Sequence, residues 1–350
     1  MRYNKAFLER TKMMKYLNKS LSEVKPMYQA YNEAVIELAE QNENIVVLYA
    51  DFPSDSVGEL FKKKYPKRIY DFGIAEANMI TVAAGLAAGG KIPLTHCHGI
   101  FALGRAYNQI RQNVAFDKSN VKIVLCNSGM LWTFMGGSHQ VIEDIAALRA
   151  IPNLVIISPA DAVETKKVTK EAVNYVGPVA LRLANPSTPV IFKEDYPFRF
   201  GKATVLREGK DLTIISTGIL VVESLKAADI LAGQGFNTRL LDVHTIKPID
   251  QDTVLRAARE TGAIVTVEDG NILGGLGGAV AEIVGEHFPV PIQRVGVRDI
   301  FGRSGTIEEI KTAYQLSAPF IVNAAQQAMN QKRDLTTNKR KKIKSHQTQP

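Results

Sequence analysis

Short apolar runs separated by amphipathic stretches recur along most of this chain. After a polar leader, residues 27–42 place apolar side chains at helical spacing, and the Val-rich run IVVLYAD (45–51) reads as a strand buried on both faces. The alternation then repeats. Residues 69–72 form a short strand, 76–89 a helix with a small-residue face, 93–97 a strand and 103–116 a helix; VKIVLCN, LVIISP and VALRLAN supply further short strands. Such βα alternation predicts a parallel sheet covered on both faces. Between 186 and 202 the chain turns Pro-rich and aromatic (STPVIFKEDYPFRFGK), as an extended connection does. A second series follows, with strands in DLTIIST, TRLLDVHT, AIVTVED and IQRVGV and helices at 221–233, 251–260, 277–286, 307–314 and 318–329.

The pattern defines an α/β protein of two domains, each with a mostly parallel sheet, the first of them doubly wound. The expected division is a leader at 1–23, a first domain at 24–190, a linker at 191–205, a second domain at 206–330, and a basic, disordered tail at 331–350. A length of 350 residues suits two cores that need no disulfide or metal staple.

Composition narrows the picture in three respects. The two cysteines, Cys97 and Cys126, lie in apolar runs and are too few for a disulfide framework, which points to a reducing, cytoplasmic location. The leader mixes charge throughout without an apolar h-region, and no apolar run reaches the roughly 18 residues of a membrane span, so no membrane partner is expected. The net charge of +8 is concentrated after residue 331, where seven Lys and Arg face the single acid Asp334. That basicity belongs to a polar appendage rather than a folded groove, and no nucleic-acid partner is expected.

Four segments carry candidate chemistry. DFGIAEANMITVAAGLAAGG puts Glu76 where a short strand meets a helix with an Ala/Gly face; taken alone, such an acid complements the helix dipole. HGIFALGRAYNQIRQNVAF places Phe101 near a strand-to-helix loop, where a core role is the ordinary alternative. In the HCH triplet, strand alternation sets His96 and His98 on one face and Cys97 on the other; without a second ligand cluster, no metal site is assigned. LCNSGMLWTFMGGSHQVIEDIAALRAIPN ends a glycine-rich loop in a His-Gln pair, His139 and Gln140, before a helix carrying Glu143 and Asp144. A satisfied histidine near a helix N-cap would look the same. EDGNILGGLGGAVAE contains a tight strand-to-helix turn, but its glycines do not form the dinucleotide fingerprint.

Together DFGIAEANM, GRAYNQIR, the GGSHQ loop, HTIKPID and EDGNILGGLGGAVAE resemble the second half of transketolases and the related deoxyxylulose-phosphate synthases and 2-oxo acid dehydrogenase E1 β subunits. The resemblance covers residues 24–329. It implies thiamine diphosphate and Mg²⁺ as cofactors, with a pyrimidine-binding domain followed by a transketolase C-terminal domain. Carried over position by position, it makes Glu76 the acid that hydrogen-bonds N1′ of the thiamine aminopyrimidine, and Phe101 the ring that stacks on it. Ile74 and Arg105 become cofactor neighbours. His139 becomes the donor that stabilises charge beside the reacting carbon of the substrate, with His98, Asn127, Asn185, Asp55 and Tyr28 as substrate-site residues.

Two features depart from a complete transketolase. The GDG motif that holds diphosphate and Mg²⁺ is missing, so the resemblance implies a partner, the transketolase N-terminal (diphosphate-binding) subunit, in an α2β2 assembly. The family's phosphate-holding positions are also changed: Tyr28 stands for arginine, Asn127 and Asn185 for histidine and arginine, Met135 for aspartate, and the serine position falls near Ser54 or Asp55. Fewer cationic donors leave two alternatives, a non-standard sugar, sulfonated or otherwise modified, or an anion held by another base such as Arg105. The expected activity is transfer of a two-carbon ketol unit from a ketose to an aldose. An E1 β subunit of a 2-oxo acid or acetoin dehydrogenase and a non-catalytic scaffold or regulatory subunit are the alternatives.

Overall fold

The computed structural model describes residues 15–18, 20–51 and 58–347. Its α/β architecture bears out the expected fold class: a seven-stranded and a five-stranded sheet, each flanked by helices. In the first sheet, β2 (Ile45–Tyr49), β3 (Ile69–Asp71), β4 (Ile92–His98), β5 (Lys122–Cys126), β6 (Val155–Ile157) and β7 (Val179–Leu183) run parallel in the order β6-β7-β5-β4-β2-β3. Every residue of β2, β5, β6 and β7 is buried, as strands covered on both faces must be. The covering helices are α1 (Met27–Gln41), α2 (Gly58–Lys64), α3 (Glu76–Ala88), α4 (Gly99–Gln109), α5 (Asp144–Arg149) and α6 (Ala162–Asn174).

The second sheet pairs β9 (Thr204–Arg207) antiparallel to β11 (Thr238–Asp242), then continues in parallel through β10 (Leu212–Ser216), β13 (Ile264–Asn271) and β14 (Ile292–Val297). Its helices are α7 (Val221–Gly233), α8 (Gln251–Thr261), α9 (Leu276–His287), α10 (Ile307–Ala313) and α11 (Ala318–Gln347).

The two sheets are not independent. TRLLDVHT, read as one strand, breaks after Asp242, and β12 (Thr245–Lys247) crosses over to pair antiparallel with β6 at the edge of the first sheet. Residues from the second series thus close the first. The Pro-rich connection is likewise packed rather than loose. Its β8 (Thr188–Pro189) pairs with β1 (Val24–Lys25), Phe192 stacks on Tyr196 with ring centres 4.1 Å apart, and Asp161 accepts the N–H groups of Ile191 (2.6 Å) and Phe192 (2.8 Å). The described end of the leader is tied to the same segment, where Asn18 Nδ2 donates to the carbonyls of Val190 and Phe192.

Two other differences from the sequence reading have local causes. The helix expected at 103–116 begins at Gly99, which puts Phe101 inside α4 rather than in the preceding loop, and it widens into a π-helix at Ile110–Phe116. The tail expected to be disordered from 331 is helical through Gln347. Apolar periodicity stops near Met329, but after Pro319 in the first turn α11 contains neither Pro nor Gly, and its Lys, Arg and Gln are strong helix formers, so local propensity continues where burial ends.

Candidate functional site

Ligand sites in parallel sheets gather at the carboxyl ends of the strands, where the chain turns into the next helix. Glu76 follows β3, His98 ends β4, Asn127 follows β5 and Asn185 follows β7, so the sheet order sets the last three on adjacent strands and Glu76 one strand further on, beyond β2. The turn before Glu76 is built by Asp71, whose Oδ1 accepts the N–H of Gly73 at 2.9 Å, with Gly73 in the left-handed region. Glu76 is then the first residue of α3, with 4% of its surface exposed. Ile74, in the same turn, projects outward and is 72% exposed.

Phe101 and Arg105 lie one turn apart on α4. The guanidinium carbon sits 4.5 Å from the centre of the Phe101 ring, and Nη1 lies 3.2 Å from Glu76 Oε1. His98 and His139 pack against Phe101 at ring-centre distances of 5.5 and 5.2 Å and lie 5.4 Å from one another. Trp132 lies 6.3 Å from His98.

A polar array adjoins these rings. Asn127, held at a φ of 56° where β5 ends, is fully buried. Its Oδ1 accepts from Asn185 Nδ2 at 2.9 Å and from the Tyr28 hydroxyl at 3.3 Å, while its backbone N–H donates to that hydroxyl at 2.6 Å. With its oxygen so engaged, Asn127 Nδ2 donates to His98 Nδ1 at 2.9 Å, which leaves the neutral imidazole protonated at Nε2. Burial, reinforced by the neighbouring His139, pushes the His98 pKa down to about 4, although Glu76 pulls the other way. At neutral pH, Tyr28, Asn127, Asn185 and His98 therefore form an uncharged, mutually hydrogen-bonded network.

The structure thus brings together Glu76, Phe101, Arg105, His98, His139, Asn127, Asn185 and Tyr28, with Ile74 at the rim. Asp55, like Ser54, lies outside the described residues. His96, its Nε2 2.7 Å from the Tyr31 hydroxyl, is a core residue with no part in the site. Among the described residues, no three His, Cys, Asp or Glu side chains group as a metal site.

Sequence reasoning missed how the His139 loop is held. Gly136 and Gly137 pack on the backbone of residues 302–304 from the second domain; a Cβ on Gly137 would meet the Gly302 carbonyl oxygen at 2.7 Å. Gln140 Nε2 donates to the carbonyls of Met130 (2.9 Å) and Arg303 (3.2 Å) and clips the same contact. A Gly-Gly pair announces close approach, but no local signal says that its partner lies more than 160 residues away.

A buried acid at a helix N-terminus, an aromatic ring and a histidine-bearing loop thus gather at the carboxyl ends of parallel strands. Residues 24–190 match the model for the transketolase pyrimidine-binding domain, and residues 201–321 that for the transketolase C-terminal domain. The chain belongs to the transketolase family, whose members depend on thiamine diphosphate. It is 43% identical to the 6-deoxy-6-sulfo-D-fructose transketolase subunit SqwH of Clostridium sp. (strain MSTE9), a match covering 86% of this chain and 94% of that one. One of the subunits of the apulose-4-phosphate transketolase of Phocaeicola vulgatus is 34% identical over 85% of this chain and 95% of its own. A solved structure described as a split gene transketolase, inactive beta4 tetramer, superposes with a TM-score of 0.82 at 42% identity, covering 87% of this chain and 99% of that one.

The residues present fit the pyrimidine end of thiamine diphosphate. Glu76 offers a buried carboxyl and Phe101 a ring face.

Proposed function

We propose that this chain is the pyrimidine-side subunit of a split transketolase that transfers a two-carbon ketol unit from a ketose to an aldose. It would act in the cytoplasm with a transketolase N-terminal subunit that binds the diphosphate and Mg²⁺, in an α2β2 assembly. The observation that carries the reading is the convergence of Glu76, Phe101 and His139 at the strand ends. When bound, thiamine diphosphate supplies the electron sink for cleaving the bond beside the substrate carbonyl.

The roles of the chain's own residues follow from their chemistry. Glu76 is placed to exchange a hydrogen bond with a ring nitrogen, and Phe101 to support the flat ring. His139, beside Phe101, is a donor for oxygens at the reacting end of the sugar. The uncharged array of Tyr28, Asn127, Asn185 and His98 favours a sugar whose distal group is a hydroxyl or a singly charged sulfonate over a phosphate dianion, which demands cationic donors. The E1 β reading has less support, since the relatives named for this chain are transketolase subunits.

The test is to co-express the chain with a candidate diphosphate-binding subunit and assay ketol transfer from phosphorylated, sulfonated and neutral ketoses. Activity that requires both chains and falls by about 10³-fold in Glu76→Ala supports the proposal. Cofactor binding without transfer to any aldose refutes it and favours a dehydrogenase or a silent subunit.

A further inference from the structure

The two side chains proposed to receive the heterocycle are both in contact with a third. Arg105 Nη1 lies 3.2 Å from Glu76 Oε1 and 3.4 Å from Oε2, and its guanidinium carbon is 4.5 Å from the centre of the Phe101 ring. Phe101 and Arg105 project from one face of α4 because four residues separate them, whereas Glu76 arrives from α3. A guanidinium is flat, presents N–H donors at its edge and offers a face to an aromatic ring. An aminopyrimidine has the same outline. Each can present an edge to Glu76 and a face to Phe101, and the two cannot occupy that place together.

We infer that Arg105 fills the seat of the cofactor's aminopyrimidine in the cofactor-free chain and must swing outward before that ring can reach Glu76. The inference rests on the proposed roles of Glu76 and Phe101 and goes beyond them, making Arg105 a competitor of the cofactor rather than one of its contacts. The Arg105 side chain is half exposed, so its flexible stem can carry the charge into solvent without moving the backbone of α4. Until that happens, the buried acid stays covered by a partner from its own chain.

The test titrates thiamine diphosphate, with Mg²⁺ present, into the full chain reconstituted with its diphosphate-binding partner. Heat is followed by calorimetry, and the site by the fluorescence of Trp132, the single tryptophan of this chain. Arg105→Ala removes the competitor, and Arg105→Gln keeps most of the stem but no charge. A half-exposed ion pair and one cation–π contact together oppose binding by a factor of about three to ten, so Kd should fall by that factor in both variants. Weaker or unchanged binding in both overturns the inference and makes Arg105 an ordinary contact or a bystander. Glu76→Ala and Phe101→Ala separate this failure from a deeper one: if neither weakens binding, the heterocycle does not sit there at all.

Discussion

Arg182 on β7 of the first sheet reaches Asp269 on β13 of the second at 3.2 Å, and both side chains are almost fully buried. Arg182 Nε also bonds Asp144 Oδ2 at 2.7 Å, and its Nη1 donates to Ser158 at 3.0 Å. Asp144 opens α5, which follows the His139 loop, so one guanidinium ties that loop's far end, the first sheet and the second domain together. Removing one member of a buried ionic group leaves the others desolvated and unpaired. Arg182→Leu should therefore cost about 3–5 kcal/mol of stability, read as a drop in the urea midpoint. A loss under about 1 kcal/mol would show that solvent reaches these acids.

Gly129 faces the same cluster. It sits at a φ of 82°, and a Cβ there would lie 1.8 Å from Asp269 Oδ2. Gly136, at a φ of 70°, would place a Cβ 2.6 Å from Ser304 Oγ. Gly136→Ala combines an unfavourable backbone region with that clash and displaces the loop bearing His139 from residues 302–304. Its ketol-transfer rate should fall by about tenfold or more, with Tm lowered by only a few degrees. Unchanged kinetics would mean that the brace does not position His139.

How much of the fold and site is legible in the sequence depends on the range of each signal. Strand and helix alternation is written in periods of two and 3.6 residues, and the α/β class follows from it. Glu76 stands out through the resemblance carried by DFGIAEANM, since its local setting at a strand-to-helix junction reads equally as an acid complementing the helix dipole. Long-range facts are not legible. Nothing local to VHT or IKP says that Thr245–Lys247 leaves its own sheet for β6, and nothing near Gly137 names Gly302. The basic tail shows the converse error: a stretch without an apolar stripe reads as structureless although its residues favour helix.

His98 and Asn127 make a prediction about proton position. The imidazole, with its pKa depressed to about 4 by burial and by His139, should stay neutral with its proton on Nε2. Nitrogen NMR of the labelled chain should show no titration of this ring between about pH 5.5 and 8.5. Asn127→Asp replaces the donor at Nδ1 with a negatively charged acceptor, moves a proton to that nitrogen and raises the pKa. A signal for Nδ1–H in the wild-type chain would reverse the assignment of Asn127's amide.

The last prediction concerns the acids that join the domains. Asp242 at the end of β11 and Glu164 in α6 are fully buried and touch through their carboxyl groups, with Asp161 and the Tyr196 hydroxyl beside them. Among the described residues no N–H or O–H donor of another kind reaches either Asp242 oxygen, so the contact is a hydrogen bond only while a proton lies between the two acids. Burial, with Asp161 adding its charge, raises the Asp242 pKa far above its unfolded value of about 3.9; burial and the Asp242 charge do the same for Glu164. A raised carboxyl pKa contributes stability that is complete below the unfolded pKa and is lost as pH rises through the folded one. Tm should therefore decline from mildly acidic pH through neutral into the alkaline range as the shared proton is titrated away. Asp242→Asn keeps a donor between the two groups at every pH, so its Tm should fall less and exceed that of the wild type in alkali. Parallel Tm curves for the two chains would show that the pair carries no titrating proton in this range.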